Sequence, residues 1–143
     1  MRHEYNDVEK PFIDQCVAMG WIGQTGSKDD PGLTGRTSFR EVISEATLRE
    51  RLRAINPGPD GKPWLDDVRL SEAVSALTRH GRRGLMEANQ AVTELLLKGL
   101  TVEGLPGWDG GRGQTIRYIA WDDVAVNSFT VVNQFRVDCP AGH

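Results

Sequence analysis

Three features of the 143-residue sequence predict an α+β fold. Up to Leu100, apolar residues recur at spacings of three and four, the period of helices that bury one face. From Thr115 onward the pattern changes to alternation with β-branched and aromatic residues, the period of strands. A glycine-rich stretch over 104–113 separates the two regimes. Helices first and strands last make the chain α+β, or the opening of a mixed α/β domain.

The first helix is predicted over 7–19, where Val8, Phe12, Ile13, Cys16 and Val17 form one apolar face. Pro11 lacks an N–H, so this helix begins within about one turn before it, and Gly20 ends it. Trp21 and Ile22 then pack back on the body, and 24–35 is a polar loop. Ser38 and Glu41 have capping-box spacing and open a helical stretch through Val42 and Ile43. Leu48, Leu52 and Ile55 continue that face until Asn56-Pro57 stops it. Residues 57–63 are a loop by composition. Ser71, Glu72, Ala73, Val74 and Leu77 read as a short capped helix. A longer one over 85–98 carries Leu85, Ala88, Val92, Leu95 and Leu96 on its inner face. Thr101-Val102-Glu103 reads as a brief strand, and 115–121 and 127–137 as antiparallel neighbours joined around 122–125. Two or three strands beside four helices make a thin sheet. Its edge stays exposed unless more chain or a partner completes it.

Hydrophobic residues make up 38% and charged residues 26%, an ordinary globular balance that excludes a collagen, a disulfide-stapled miniprotein and a disordered tail. With 20 acids against 17 Lys plus Arg, the net charge is −3, so nucleic acid must be met by a local patch. Residues 1–7 lead into no apolar signal segment. The apolar stretches 92–100 and 124–129 fall short of the ~20 residues of a spanning helix, so no membrane role is expected. Cys16 reads as a helix core residue and Cys139 as a loop thiol, in keeping with a reducing cytoplasm.

Most catalytic patterns are missing. His3, His80 and His143 stand alone, without metal-ligand spacing. There is no Gly-x-Ser-x-Gly elbow and no Cys–His pair. The Gly107 to Gly113 turn holds Arg112 but no phosphate-binding lysine, so the sequence shows no nucleoside triphosphatase site of its own. The acid pairs Asp29-Asp30, Asp66-Asp67 and Asp122-Asp123 read as turns or helix starts, where backbone N–H groups favour negative charge. No Glu-x-Lys occurs, and Asp60-Gly61-Lys62 sits in a Pro/Gly loop that holds neither side chain rigidly. Basic residues cluster at Arg79-His80-Gly81-Arg82-Arg83, at a turn between two helices, with Arg49, Arg51 and Arg53 as further contributors. Arg79, Arg82 and Arg83 are the candidate DNA-phosphate contacts; the other reading is a solvated connection.

Several stretches, taken together and in order, closely resemble the N-terminal region of the R subunits of type I restriction–modification enzymes. They are Glu9-Lys10-Pro11-Phe12-Ile13 with Gly20-Trp21, Arg36 with Ser38-Phe39-x-Glu41-Val42, and Leu52-x-x-Ile55-Asn56-Pro57. Asn89 with Leu95-x-x-Lys98-Gly99 follows. The most specific stretch closes the series, Asn127-x-Phe129-x-Val131-Val132-Asn133-Gln134-Phe135-x-Val137.

The resemblance implies a restriction-endonuclease-like fold of the PD-(D/E)xK kind, with residues 1–143 forming the N-terminal portion of the endonuclease domain. In this family two helicase domains use ATP and Mg²⁺ to move DNA. The subunit cleaves unmodified foreign DNA together with methyltransferase and specificity subunits. Glu9 matches the first-helix glutamate that approaches the metal site in such nucleases, as an accessory carboxylate. The family's metal-binding Asp and Glu-x-Lys lie in the two strands after the Asn-Gln-Phe strand, so residues 1–143 are expected to be an incomplete domain, inactive alone, with no cofactor of its own. Trp21, Phe39, Phe129 and Phe135 are expected in packing roles. Asn133 and Gln134 are expected to orient a loop through backbone hydrogen bonds. Two alternatives stay open: a non-catalytic binding or regulatory module derived from that domain, and an unrelated α+β DNA-binding protein.

Overall fold

A computed structural model describes residues 5–81, 83–108 and 112–138. A wide helical turn, Tyr5–Glu9, leads into α1, Lys10–Ala18, and then β1, Ile22–Thr25. Three helices follow: α2, Glu45–Ile55; α3, Asp67–Thr78; and α4, Leu85–Lys98. The remaining strands are β2, Leu100–Val102; β3, Gln114–Ile116; and β4, Thr130–Asn133. Helices and short strands in separate sheets make the fold α+β. The chain divides into two compact units, one drawn from Met1–Thr47 with Ser128–His143 and the other from Leu48–Asn127.

In the first unit β1 and β4 pair in parallel, with Ile22 opposite Thr130 and Thr25 opposite Asn133. Parallel partners need a long connection, and here the whole second unit is inserted between them in sequence. Helix α1 lies on this pair. Gly23 permits the approach, since a Cβ there would stand 3.0 Å from the Val17 Cγ2 and 3.4 Å from the Ile13 Cγ2. Pro11 sits in the first turn of α1, as its missing N–H requires. Trp21 packs against Phe129 with ring centroids 5.3 Å apart. Cys16 is a buried free thiol, whereas Val8, Phe12 and Val17, expected on the inner face, are exposed. A nine-residue helix on a two-stranded sheet has too little opposing surface to cover its whole apolar stripe.

The second unit holds the larger core: Leu52, Trp64, Leu65, Leu70, Ala73, Val102, Ile116 and Tyr118. Strand β2 pairs antiparallel with β3, Leu100 opposite Ile116 and Val102 opposite Gln114. Asn56 does more than stop α2. Its amide donates to the Leu52 and Arg117 carbonyls at 2.9 and 2.8 Å and accepts from the Arg117 N–H at 2.8 Å, tying α2 to the chain after β3. Trp64 Nε1 donates to the Asn56 carbonyl at 3.0 Å, and the Trp64 ring meets Trp108 edge-on at 5.0 Å. Asp66 caps α3 by accepting from the Arg69 N–H at 2.9 Å, the helix-start role read for that acid pair.

The strand partners differ from those expected. Residues 115–121 and 127–137 do not pair with each other; the first segment contributes to β3 against β2, and the second to β4 against β1. Alternation marks a strand without naming its neighbour. Asn127, expected inside a strand, instead exchanges two 2.9 Å hydrogen bonds with the Ala120 backbone. The Ser38/Glu41 pair does not open a helix. Glu41 accepts from the Thr37 N–H and hydroxyl, and Ser38 from the Arg40 N–H, so both serve a turn ahead of α2. Leu85 is exposed rather than inward-facing.

Candidate functional site

Glu9 stands immediately before α1, and Asn133 closes β4. Helix α1, which lies on β1 and β4, brings the two together. Gln134 Nε2 donates to Glu9 Oε2 at 2.8 Å, and Asn133 Nδ2 approaches the same oxygen at 3.4 Å. Gln134 adopts φ 57°, the left-handed region, which costs an L-residue about 1–2 kcal/mol. A hydrogen bond to a carboxylate contributes about 1.5–3 kcal/mol, enough to offset that strain. Gly26 is required beside it, since a Cβ there would collide with the Gln134 carbonyl. Two residues inside the most specific sequence stretch, Asn133 and Gln134, therefore meet the one acid singled out as a candidate. The side chains of Asn133 and Gln134 meet this carboxylate, whereas backbone partners were expected for them.

The arrangement offers few ligands to a cation. Asn133 Oδ1 is buried without a hydrogen-bond partner among the described residues, and with Glu9 it supplies two oxygens from different side chains. Magnesium takes six oxygens in near-octahedral array. Among the described residues no three His, Cys, Asp or Glu side chains converge on one point. The donor set does not fit a catalytic magnesium ion by itself, and these residues supply no hydrolytic step.

Behind Gln134 the chain is fixed by stacked cations. Arg36, 3% exposed, lies with its guanidinium 3.8 Å from the centre of the Phe135 ring. It donates to the Glu41 carbonyl at 2.7 Å and to the Thr34 hydroxyl at 2.9 Å. Arg136 stacks over Phe39 at 4.2 Å and grips Asp138 through two bonds of 2.9 and 3.0 Å. The Asp138 hydrogen bond holds the Arg136 guanidinium above its usual pKa. Phe135 and Phe129, expected in packing roles, are 38% and 40% exposed: each covers a neighbour with one face only. The burial of Arg36 was not read from the sequence, where a lone arginine in a Gly/Ser/Thr loop gives no sign of it.

The basic cluster lies in the second unit. Arg79 and Arg83 line one cleft with His80, Glu94 and Lys98. Arg82 lies outside the described residues, as do His3, His143 and Cys139. Arg49, Arg51 and Arg53 do not line that cleft. Arg49 donates to Ser71, Arg51 to Glu50 and the Val126 carbonyl, and Arg53 pairs with Asp67. Lys98 was missed because fifteen positions of sequence separate it from Arg83.

Comparison with known proteins adds a family. The family model of the type I restriction enzyme R protein N terminus matches residues 4–143. A Methanocaldococcus jannaschii protein, named as a putative type I restriction enzyme MjaIXP endonuclease subunit, is 23% identical over 133 residues, 92% of this chain and 12% of that protein. Fructose-bisphosphate aldolase C of Carassius auratus is 32% identical over 117 residues, 76% of this chain and 32% of that protein. The chain thus spans about a third of one relative and about an eighth of the other. Their names disagree on chemistry, and the family model, which covers nearly the whole chain, sides with the endonuclease subunit. No solved structure matches.

Proposed function

Because the chain belongs to the family of type I restriction enzyme R protein N termini, we propose that it forms part of the DNA-cleaving, ATP-dependent subunit of a type I restriction–modification system. The substrate would be unmodified foreign DNA, and the partners the methyltransferase and specificity subunits. Residues 1–143 would be the N-terminal portion of the endonuclease domain, working in the cytoplasm; no described helix is long and apolar enough to cross a membrane. Mg²⁺ and ATP would serve the complete subunit.

The observation that carries this reading is the 2.8 Å bond from Gln134 to Glu9. It supports an accessory role for Glu9: two side-chain amides hold the carboxylate as an oriented acceptor, at the end of the strand that bears the family's most specific stretch. One carboxylate and one amide oxygen cannot hydrolyse a phosphodiester alone, so these residues by themselves should leave DNA intact. The experiment is cleavage of unmodified plasmid by the complete enzyme with ATP and Mg²⁺, comparing wild type with Glu9→Gln. The expected result is slower cleavage with ATP hydrolysis unchanged. A complete enzyme that cleaves no DNA, or a Glu9→Gln enzyme that cleaves at the wild-type rate, overturns the subunit reading or the role of Glu9 respectively.

A second reading, a non-catalytic binding module, is favoured by one observation. The first unit exposes Val8, Phe12, Val17, Met19 and Ile22 on α1 and β1 and beside them, apolar surface of a kind that marks contact with other polypeptide. A 1:1 complex of this chain with another subunit, lost on Phe12→Asp, would support it.

A further inference from the structure

Arg36 carries a charge inside the first unit. It is 3% exposed, and among the described residues it forms no ion pair. Its hydrogen-bond partners are neutral, the Thr34 hydroxyl at 2.9 Å and the Glu41 carbonyl at 2.7 Å. A buried charge without a counter-charge is costly, and an apolar side chain of similar volume usually serves a core as well or better. Packing alone therefore does not account for an arginine here; the shape of its head group does.

A guanidinium pinned by hydrogen bonds is a rigid flat plate. The Phe135 ring lies on that plate at 3.8 Å, with the Phe39 ring at 5.7 Å. Phe135 is 38% exposed, so the face it lays on Arg36 does much to fix the ring. Gln134 is the preceding residue. Its φ of 57° is a conformation that an L-residue leaves unless it is held. On the other side its carbonyl lies against the Gly26 backbone, where no Cβ would fit. Held from both sides, Gln134 aims Nε2 at Glu9 Oε2 over 2.8 Å. Asn133 Nδ2, at 3.4 Å from the same oxygen, is the weaker donor, so the orientation of the carboxylate depends mainly on Gln134.

We propose that Arg36 is a positioning residue for Glu9. It holds Phe135, Phe135 holds the left-handed turn at Gln134, and Gln134 holds the carboxylate in one orientation. The hydrogen bonds of Arg36 go to Thr34 and Glu41 and not to Glu9, so any effect it has on the carboxylate passes through the residues between them. The relay is a property of the first unit and stands without a functional assignment; its consequence for DNA cleavage rests on the role of Glu9 proposed above.

The test has one readout for the relay and one for its consequence. In the full 143-residue chain, nitrogen-15 NMR follows the side-chain amide of Gln134, assigned by its loss in Gln134→Ala, with circular dichroism confirming that each variant is folded. Glu9→Ala should move that signal toward the position of a free amide, and Arg36→Met should move it the same way. In the complete enzyme, Arg36→Met should slow cleavage of unmodified plasmid about 10-fold, no more than Glu9→Ala does, with ATP hydrolysis unchanged. Added to Glu9→Ala it should slow cleavage no further, since both act on one carboxylate. Phe135→Leu, which removes the ring from the plate, should reproduce both effects and replaces Arg36→Met if that variant does not fold. Phe135→Tyr, which keeps the ring face, should match the wild type in both readouts. A Gln134 amide signal that stays in place in folded Arg36→Met or Phe135→Leu overturns the relay, and so does a double variant that shows the product of the two single losses. A moved signal with cleavage at the wild-type rate overturns the positioning role. A moved signal, with a complete wild-type enzyme that cleaves no DNA, keeps the relay and sinks the restriction reading.

Discussion

Gln134 reaches Glu9 across 125 positions of sequence and donates its side-chain amide to that carboxylate at 2.8 Å. The bond and the left-handed backbone of Gln134 oppose each other energetically, and two substitutions separate them. Gln134→Ala removes the bond and keeps the backbone strain, so it should lower the unfolding free energy by about 1–3 kcal/mol. Gln134→Gly removes the bond and relieves the strain, so its cost should be smaller by about 1 kcal/mol. Urea unfolding of both variants checks this; equal costs would mean that the backbone at 134 is not held against its preference.

The Arg36 guanidinium on Phe135 should couple measurably. Both partners are named by the 3.8 Å stacking distance, and Arg36 is almost wholly desolvated. A double-mutant cycle of Arg36→Met and Phe135→Leu should give a coupling energy of about 1–2 kcal/mol. Arg36→Lys should also destabilise, since a compact ammonium cannot reach the Thr34 hydroxyl and the Glu41 carbonyl while lying flat on the ring. Additive single mutants would show that the stack is incidental.

How much of this was legible in the sequence depends on whether local or distant chain decides the outcome. Periodicity located Leu52 and Ile55 on the buried side of α2 because one helix turn sets that spacing. Gly20 and Asn56-Pro57 marked helix ends for equally local reasons. Strand pairing was not local: the segments around Thr115 and Val131 each alternate, yet their partners lie at Thr101 and Gly23. Glu9 was singled out through family resemblance alone, and only the packing of α1 on the β1–β4 pair explains why Asn133 and Gln134 reach it. The cleft of Arg79, Arg83 and Lys98 was half visible, since two of its cations are neighbours in sequence and the third joins only through packing.

Leu70, the fourth residue of α3, and Leu85, the first of α4, occupy opposite environments, 0% and 78% exposed. Leu70→Ala leaves a cavity among Leu52, Trp64 and Ile116 and should cost about 2–5 kcal/mol. Leu85→Ala should change stability by no more than about 0.5 kcal/mol. Thermal unfolding of the two variants decides the matter. A large loss at Leu85 would place that side chain inside a core that the structure leaves open.

Tyr118 carries the clearest signature of pH. Its hydroxyl is buried and donates to the Ala73 carbonyl at 2.6 Å, and burial pushes its pKa up to about 12. The neutral phenol is the form the fold accepts, so its contribution is fully present below the unfolded value near 10. It fades as pH rises from there through the folded value, because the unfolded chain releases the proton first. Tyr118→Phe should cost about 1 kcal/mol at neutral pH, for the hydrogen bond that it deletes. Between about pH 10 and 12 the wild type should lose its advantage over the variant and then fall below it, since only the wild type has this proton to lose. Taking the difference between the two curves cancels the lysines and the other tyrosine that titrate in the same range. Urea unfolding at stepped alkaline pH measures it, and a difference that stays constant to pH 12 would mean that the phenol titrates alike in both states, in water rather than in the core.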